Sequence, residues 1–423
     1  MSAALDHVAD LAAFVIASPS SFHAAAEGAR RLAEAGFVGQ DEAADWDSSP
    51  GGHYLIRDGA LVAWRLPADA DPRTPFRIVG AHTDSPGFAV KPNPDLEGFG
   101  YAQLGLEVYG GPLLNSWLDR ELGLAGRLVL SNGSTQLVRT KAIMRIPQLA
   151  IHLDRSVNDE GLKLDKQLHT APVWSVGHPG SHILDHVADV AGCSAGDIDG
   201  YDLRVFDTAA PAVFGPHQEF FASARLDNLS SMHASITAMI NCGESDVIPM
   251  IAAFDHEELG SASRSGASGP LLADVMARIS ASLGATVDQW HRSLADSFCL
   301  SADTGHAIHP NYPGRHDPAN QPLLNAGPLL KINANQRYAT DGRGAALWRR
   351  ICRKLAIPTQ EFVSNNAMPC GSTIGPLTAT RLGIATVDVG IPTLSMHSAR
   401  ELLGTDDPLA LTRAMEAFLA ADI

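Results

Sequence analysis

Six residues of this 423-residue chain have side chains that, if gathered, could hold metal: His82, Asp227, the adjacent Glu257 and Glu258, Asp303 and His397. Imidazole nitrogens mixed with carboxylate oxygens are a donor set that suits zinc. A carboxylate has two oxygens and can bridge two ions, which makes Asp227 a candidate bridge. Two zinc ions roughly 3.5–4 Å apart polarise a carbonyl and lower the pKa of a shared water. The predicted chemistry is therefore metal-assisted hydrolysis. Plainer readings stand beside it. Asp227 is also an ordinary helix N-cap, Glu257-Glu258 an acidic helix start, His82 a strand-end histidine paired with a carboxylate, and His397 a structural histidine.

Local spacing sharpens some of these. In "GAHTDSPGF", His82 and Asp84 are two apart. On extended chain they share a face, so Asp84 can hold the imidazole as metal-bound histidines commonly require. In "FDHEELGS", extended backbone would send the two glutamates in different directions, one to a metal and one to a water as base. Like charges this close raise one pKa unless a cation neutralises them. The H-E-x-x-H helix signature is absent, because Gly260 stands where the second histidine belongs. "SADTGHAIHPNYP" adds His306 and His309, readable as ligands or as pocket wall. "MPCGSTIGP" lacks the Walker lysine and its spacing, and nothing nearby nominates a base for Cys370. A helix is expected to start near Ala399, just after His397.

These residues need elements to gather them. Apolar runs precede them: "FRIVGA" before His82, "VIPMIAAF" before Asp255, "FCLSA" before Asp303, and "GIATVDVG" some residues before His397. Short apolar runs bounded by turns read as buried strands of a parallel sheet, and ligands gather beyond the carboxyl ends of such strands. "DNLSSMHASITAMI" spaces Leu229, Met232, Ile236 and Ile240 as one helical face. "HYLIRDGALVAWRL" predicts a hairpin around Asp58-Gly59, and "SNGS" predicts another. Between residues 91 and 222 the sequence is rich in β-like runs and turns. Candidate metal residues fall on both sides of it, so it reads as a β-rich domain inserted between two parts of a catalytic domain, 1–90 and 223–423. The N-terminal segment reads as an amphipathic helix buried through Val8, Leu11, Phe14 and Val15. Asp6 and Asp10 stand where a signal peptide would have basic residues, which predicts a cytoplasmic protein.

Composition excludes several classes. Hydrophobic residues make up 45% of the chain, too many for disorder. No apolar stretch approaches the ~20 residues that span a bilayer, so no membrane partner is expected. The net charge is -16 with no basic stripe, which argues against nucleic acid. An acidic substrate would meet that charge too and would need a local cation, a metal or Lys/Arg, in the pocket. The five cysteines are scattered and never form C-x-x-C, against both a disulfide framework and a Cys-rich zinc ribbon.

Taken together, "GAHTDSPGF", "LAIHLDR", "SARLDN", "FDHEELGS", "SADTGHAIHPNYP", "KINANQRYATDG", "CGSTIGP" and "MHSARE" closely resemble the aspartyl aminopeptidase family of cytosolic zinc metallopeptidases, in family order from about residue 20 to 418. The resemblance implies an α/β/α zinc-peptidase domain with an inserted β-rich dimerisation domain. It also implies two zinc ions per subunit, with other divalent metals possible. His82, Asp227 and Asp303 would hold one; Asp227, Glu258 and His397 would hold the other. Glu257 would be the general base, Asp84 would orient His82, and the Asp227-Asn228 peptide would be cis. His152 would reach into a neighbouring subunit's pocket, and Lys331 and Tyr338 would contact substrate. Dimers would assemble into a tetrahedral dodecamer acting on peptides with a free N-terminal Asp or Glu. One departure concerns that preference: the family's usual Arg-Asn-Asp before "CG" is Asn365-Asn366-Ala367 here. A dizinc deacylase or amidase of similar fold and a silent oligomeric scaffold are the competing readings.

Overall fold

The apolar runs become neighbouring parallel strands. Ile248–Phe254, Phe76–His82, Phe298–Ala302 and Ala385–Gly390 lie side by side, with Phe254 in register with His82 and Ala302 with Val389. Their carboxyl ends therefore finish along one edge. This is the middle of a nine-stranded sheet in the computed structural model, which describes residues 2–421. On one flank Ala60–Leu66 runs antiparallel to Ile248–Phe254 and pairs with Gly51–Arg57 through the predicted turn at Asp58-Gly59. On the other, Leu329–Lys331 runs antiparallel to Ala385–Gly390 and carries Gln360–Phe362 as the outermost strand.

Alternation along each strand feeds two cores. Val79, Ala81, Ile251, Ala253 and Leu300 face helices Ala3–Ala17, Ser21–Glu34, Leu226–Asn241, Gly342–Lys354 and Asp407–Leu419. Ile78, Met250, Ala252 and Cys299 face Leu271–Ser282, Val287–Asp296 and Ile374–Leu382. The result is an α/β/α layering, as the apolar character of both strand faces requires. Helix Ser21–Glu34 approaches the sheet closely at Gly28, where an added Cβ would lie 2.6 Å from Leu61 Cδ2.

A six-stranded antiparallel sheet contains Gly87–Gly98, Tyr101–Tyr109, Leu122–Leu130, Thr135–Arg139, Val173–Val176 and Ile198–Asp207. It has its own core of Phe88, Leu104, Trp117, Leu124 and Leu203 under helix Ile183–Ala191. A smaller five-stranded sheet joins Ala212–Phe214 and Phe220–Ser223 to Glu401–Gly404, Pro392–Leu394 and Gly305–His306. Among the described residues no helix is long and apolar enough to cross a membrane, and the five cysteines are unpaired.

The N-terminal helix buries Val8, Leu11, Phe14 and Val15, the face expected from sequence. Its polar side enters a network. His233 Nε2 lies 2.6 Å from Asp10 Oδ2, which also accepts from Arg31 at 2.7 Å, and His7 Nε2 lies 3.1 Å from Thr412 Oγ1. Burial, with His233 adding, pushes His7 down to about 4. Burial, with the Arg139 and Arg225 cations adding, pushes His23 down to about 4 as well.

Unfolded, both histidines return to about 6.5. Their contribution to stability is complete above that pH and is lost as pH falls through the window from 6.5 towards 4, because the unfolded chain takes up the protons first. Replacing both with glutamine (His7→Gln, His23→Gln) should flatten the decline of the thermal midpoint between about pH 7 and about pH 4.5. A circular-dichroism melt series that showed the same decline in variant and wild type would mean that these rings are not held neutral.

Candidate active site

At the shared strand edge the polar residues converge. His82 ends its strand with 1% of its surface exposed. Its Nε2 lies 3.4 Å from Asp227 Oδ1 and 3.5 Å from Asp303 Oδ1. The other Asp227 oxygen, Oδ2, lies 3.5 Å from His397 Nε2, which is 3.4 Å from Glu258 Oε2. Two three-residue clusters thus share Asp227: His82, Asp227 and Asp303, and Asp227, Glu258 and His397. His82 also groups with Glu257 and Glu258.

Each side chain is delivered by local backbone geometry. Arg225 takes a left-handed φ of 57°, and Asp227 and Asn228 break the first turn of helix Leu226–Asn241. Asp227 is therefore not a simple N-cap. The Asp227-Asn228 peptide is cis, as the resemblance implied. Asn228 Nδ2 donates to the Ala302 carbonyl at 2.8 Å, tying this segment to the strand that ends before Asp303.

The glutamate pair is not on extended backbone. His256 adopts a left-handed φ of 63° and Glu257–Leu259 forms a single 3-10 turn. Both glutamate amides then point the same way and donate to one carboxylate: Glu257 N to Asp84 Oδ1 at 3.0 Å and Glu258 N to Asp84 Oδ2 at 3.2 Å. The Tyr109 hydroxyl donates to Asp84 Oδ2 at 2.8 Å. His82 Nδ1 meets the Asp84 carbonyl at 3.1 Å and its Oδ1 at 3.5 Å. Asp84 therefore touches the imidazole, and it also clamps the glutamate turn.

His397 is not followed by a helix. It sits in the turn between antiparallel strands Pro392–Leu394 and Glu401–Gly404, with Ser395 and His397 at φ of 58° and 65°. Its Nδ1 donates to the Gly111 carbonyl at 3.0 Å, and its own carbonyl accepts from Leu113 N at 2.9 Å. Its amide donates to Glu401 Oε1 at 2.7 Å, while Glu401 Oε2 accepts the Asp227 amide at 2.9 Å. Tyr109 and Glu401 were not singled out from sequence. Glu401 lies inside "MHSARE", but only the folded chain reveals its partners.

Of the remaining candidates, Lys331 is 1% exposed, donates to the Thr304 carbonyl, and lies 3.7 Å from Asp303 Oδ2 and 5.3 Å from the Tyr338 ring centre. His152 is exposed in the loop after Ile146. His306 and His309 join none of the three clusters; their rings pack on Phe362 and Tyr312.

The electrostatics report a shortage of positive charge. Burial opposes a charged His82 ring, yet Asp227, Asp303 and Asp84 outweigh it and hold the pKa well above the usual value. His397 is likewise raised to about 10 by Asp227 and Glu258 against burial. Burial and Asp227 push Glu258 well up, and burial with Asp303, Asp227 and Asp84 pushes Glu257 to about 7. Burial also pushes on Asp227 in the raising direction, but His397 and His82 draw it below the ordinary carboxylate range.

The residues fit zinc. Four donor-to-donor spacings of 3.4 and 3.5 Å match the edge of a zinc tetrahedron, roughly 3.3–3.4 Å for bonds of about 2.0–2.1 Å. Asp227 Oδ1 is buried without a hydrogen-bond partner, an acceptor left open at the centre of one cluster.

Comparison with known proteins agrees with this chemistry. The family model described as aminopeptidase I zinc metalloprotease (M18) matches residues 14–419. A probable M18 family aminopeptidase 2 of Streptomyces avermitilis is 53% identical over 421 residues, covering 98% of this chain and 97% of the relative. Among solved structures, the cryo-EM structure of the Ape4 and Nbr1 complex superposes with a TM-score of 0.96 at 33% identity, over 99% of this chain and 86% of that one. The S. cerevesiae mApe1 dodecamer superposes with a TM-score of 0.85 at 29% identity, over 98% of this chain and 96% of that one. The chain belongs to the M18 family and is a zinc-dependent aminopeptidase.

Proposed function

We propose that this aminopeptidase uses two zinc ions per subunit and Glu257 as general base to release a single N-terminal Asp or Glu from peptides with a free α-amine. The observation that carries the reading is the division of Asp227, with one oxygen towards His82 and the other towards His397. His82, Asp227 and Asp303 would hold one ion and Asp227, Glu258 and His397 the other; another divalent metal could replace zinc in either set. Bound zinc would lower the pKa of a water and polarise the scissile carbonyl.

The protein's own groups do the rest. Glu257 belongs to neither three-residue set that shares Asp227. Its carboxyl, left out of both sets and carried on the turn clamped by Asp84, can take a proton from water and return it to the leaving amine. Asp84 fixes the Glu257 amide and the His82 ring in one hydrogen-bonded unit. Lys331 and Tyr338 are assigned to the wall that receives the substrate's first side chain. The Lys331 ammonium gives that wall the positive charge an acidic residue needs against the chain's net charge of -16. Because the chain has Asn365-Asn366-Ala367 before Cys370, the acidic preference rests on this charge and the metals rather than on an arginine in that loop.

The assembly we assign is a homo-oligomer in which the β-rich domain at 91–222 pairs two copies and the dimers assemble into a tetrahedral dodecamer. It is supported by the loop bearing His152, where Leu149, Ile151 and Leu153, neighbours in sequence, are 63%, 46% and 75% exposed. His152 would then enter a neighbouring copy's pocket.

Glu257→Gln should lower kcat by roughly 10²–10⁴-fold while zinc content, measured by elemental analysis, stays at the wild-type level. Near-wild-type turnover would remove Glu257 from the reaction. In a rate comparison across peptides beginning with Asp, Glu, Leu and Arg, the acidic pair should lead, and N-acetylation of the same peptides should abolish cleavage. Equal rates for Leu would end the acidic preference, and cleavage of acetylated peptides would favour the deacylase reading.

A further inference from the structure

We infer that Glu401 is a positioning residue that sets the separation between Asp227 and His397, and so builds the second metal subsite without binding metal itself; this rests on the two-ion reading above. Its carboxylate is spent on two backbone amides from separate parts of the chain. Oε2 accepts from Asp227 N at 2.9 Å and Oε1 from His397 N at 2.7 Å. Glu401 is 2% exposed and belongs to none of the His/Asp/Glu groups close enough to share an ion.

The topology explains why one carboxylate can reach both. Glu401 opens the strand Glu401–Gly404, where it pairs with Ser223 at the end of Phe220–Ser223. Asp227 lies four residues beyond Ser223, past the left-handed turn at Arg225. On its other side the same strand pairs with Pro392–Leu394, and the turn between them carries His397. Glu401 therefore stands where two chain segments diverge towards the site, and its two oxygens fix the distance between their amides.

No salt bridge to Glu401 exists among the described residues: the Lys, Arg and His groups within ion-pair distance of a carboxylate pair elsewhere. A buried carboxylate without a direct ion pair is costly, even with the Arg225 and His397 cations acting on it at longer range, so a hydrophobic or neutral residue would serve better if packing were the only demand. What a carboxylate supplies is two acceptors on one rigid plane. Glutamine retains one acceptor and turns an NH2 group towards the second amide. Aspartate retains both acceptors but lacks the reach.

The chain contains its own control. Asp407 is also a buried carboxylate that accepts two backbone amides, Asn325 N at 2.7 Å and Gly327 N at 2.9 Å, but neither residue belongs to the metal clusters. The test is zinc competition against a chromophoric chelator, on the full chain, for wild type, Glu401→Gln, Glu401→Asp and Asp407→Asn, with thermal melts of the metal-free proteins alongside. Both Glu401 variants should weaken the ion assigned to Asp227, Glu258 and His397 by about 10–100-fold, and the ion assigned to His82, Asp227 and Asp303, which shares Asp227, by less. Asp407→Asn should lower the melting temperature without moving either zinc constant. Wild-type zinc constants in the Glu401 variants would overturn the inference, as would an equal loss in Asp407→Asn, which would reduce the effect to general loosening. A wild type that loads a single zinc would overturn the two-ion reading instead. Glu401 would then stand or fall on whether its variants weaken that ion more than Asp407→Asn does.

Discussion

Negative charge crowded into a buried space is the constraint on which this structure turns. Asp84, Asp227, Glu257, Glu258, Asp303 and Glu401 meet around two imidazoles. Carboxylates removed from water are costly unless paired. The pKa directions express one deficit from several sides: both histidines are driven up, Glu257, Glu258 and Glu401 are driven up, and Asp227, next to both rings, is driven down. Divalent cations would meet that deficit, and the donor spacings of 3.4 and 3.5 Å are those zinc prefers.

A site that repels itself must be held by something other than its own ligands. The fold does this with backbone amides. Asp84 takes two from the glutamate turn and Glu401 takes one each from Asp227 and His397. The six-stranded sheet contributes as well, through the Tyr109 hydroxyl on Asp84 and the Gly111 carbonyl on His397. Its approach requires glycine. A Cβ on Gly110, at φ 67°, would come within 3.2 Å of both Glu258 Cβ and the Glu258 carbonyl oxygen. The β-rich segment is thus part of the wall of the site.

The site was legible in sequence to the extent that strand ends are legible. His82, Asp303 and the Glu257-Glu258 pair follow short, mostly apolar runs, and parallel pairing brings such ends together whatever the intervening chain does. The helix face from Leu229 to Ile236 and the Asp58-Gly59 hairpin were legible for the same local reason. The turns around the site were not. Left-handed conformations at His256, Ser395 and His397 are carried by residues that give no turn signal, where glycine or asparagine would have done so. Extended backbone at the glutamates and a helix near Ala399 were accordingly expected, and both expectations fail. Tyr109 and Glu401 were hidden for a different reason: Asp84 lies 25 residues from Tyr109 and Asp227 174 residues from Glu401, and no local pattern encodes such pairings, although Glu401's second partner, His397, is four residues away.

The same long-range logic connects the site to the N-terminal helix. Helix Ala3–Ala17 ends with free carbonyls, the negative pole of its dipole. Arg225 donates to the carbonyls of Val15 and Ser18, and Arg139 from the six-stranded sheet donates to that of Ile16. Arg225 stands two residues before Asp227, in the left-handed conformation that turns the chain towards the two clusters sharing Asp227. Further along the same helix His233 is held by Asp10. The segment that carries Asp227 is therefore anchored at its start and again in its second turn to an element more than two hundred residues earlier in the chain. Packing that stabilises the fold and geometry that divides Asp227 between two clusters thus draw on the same contacts.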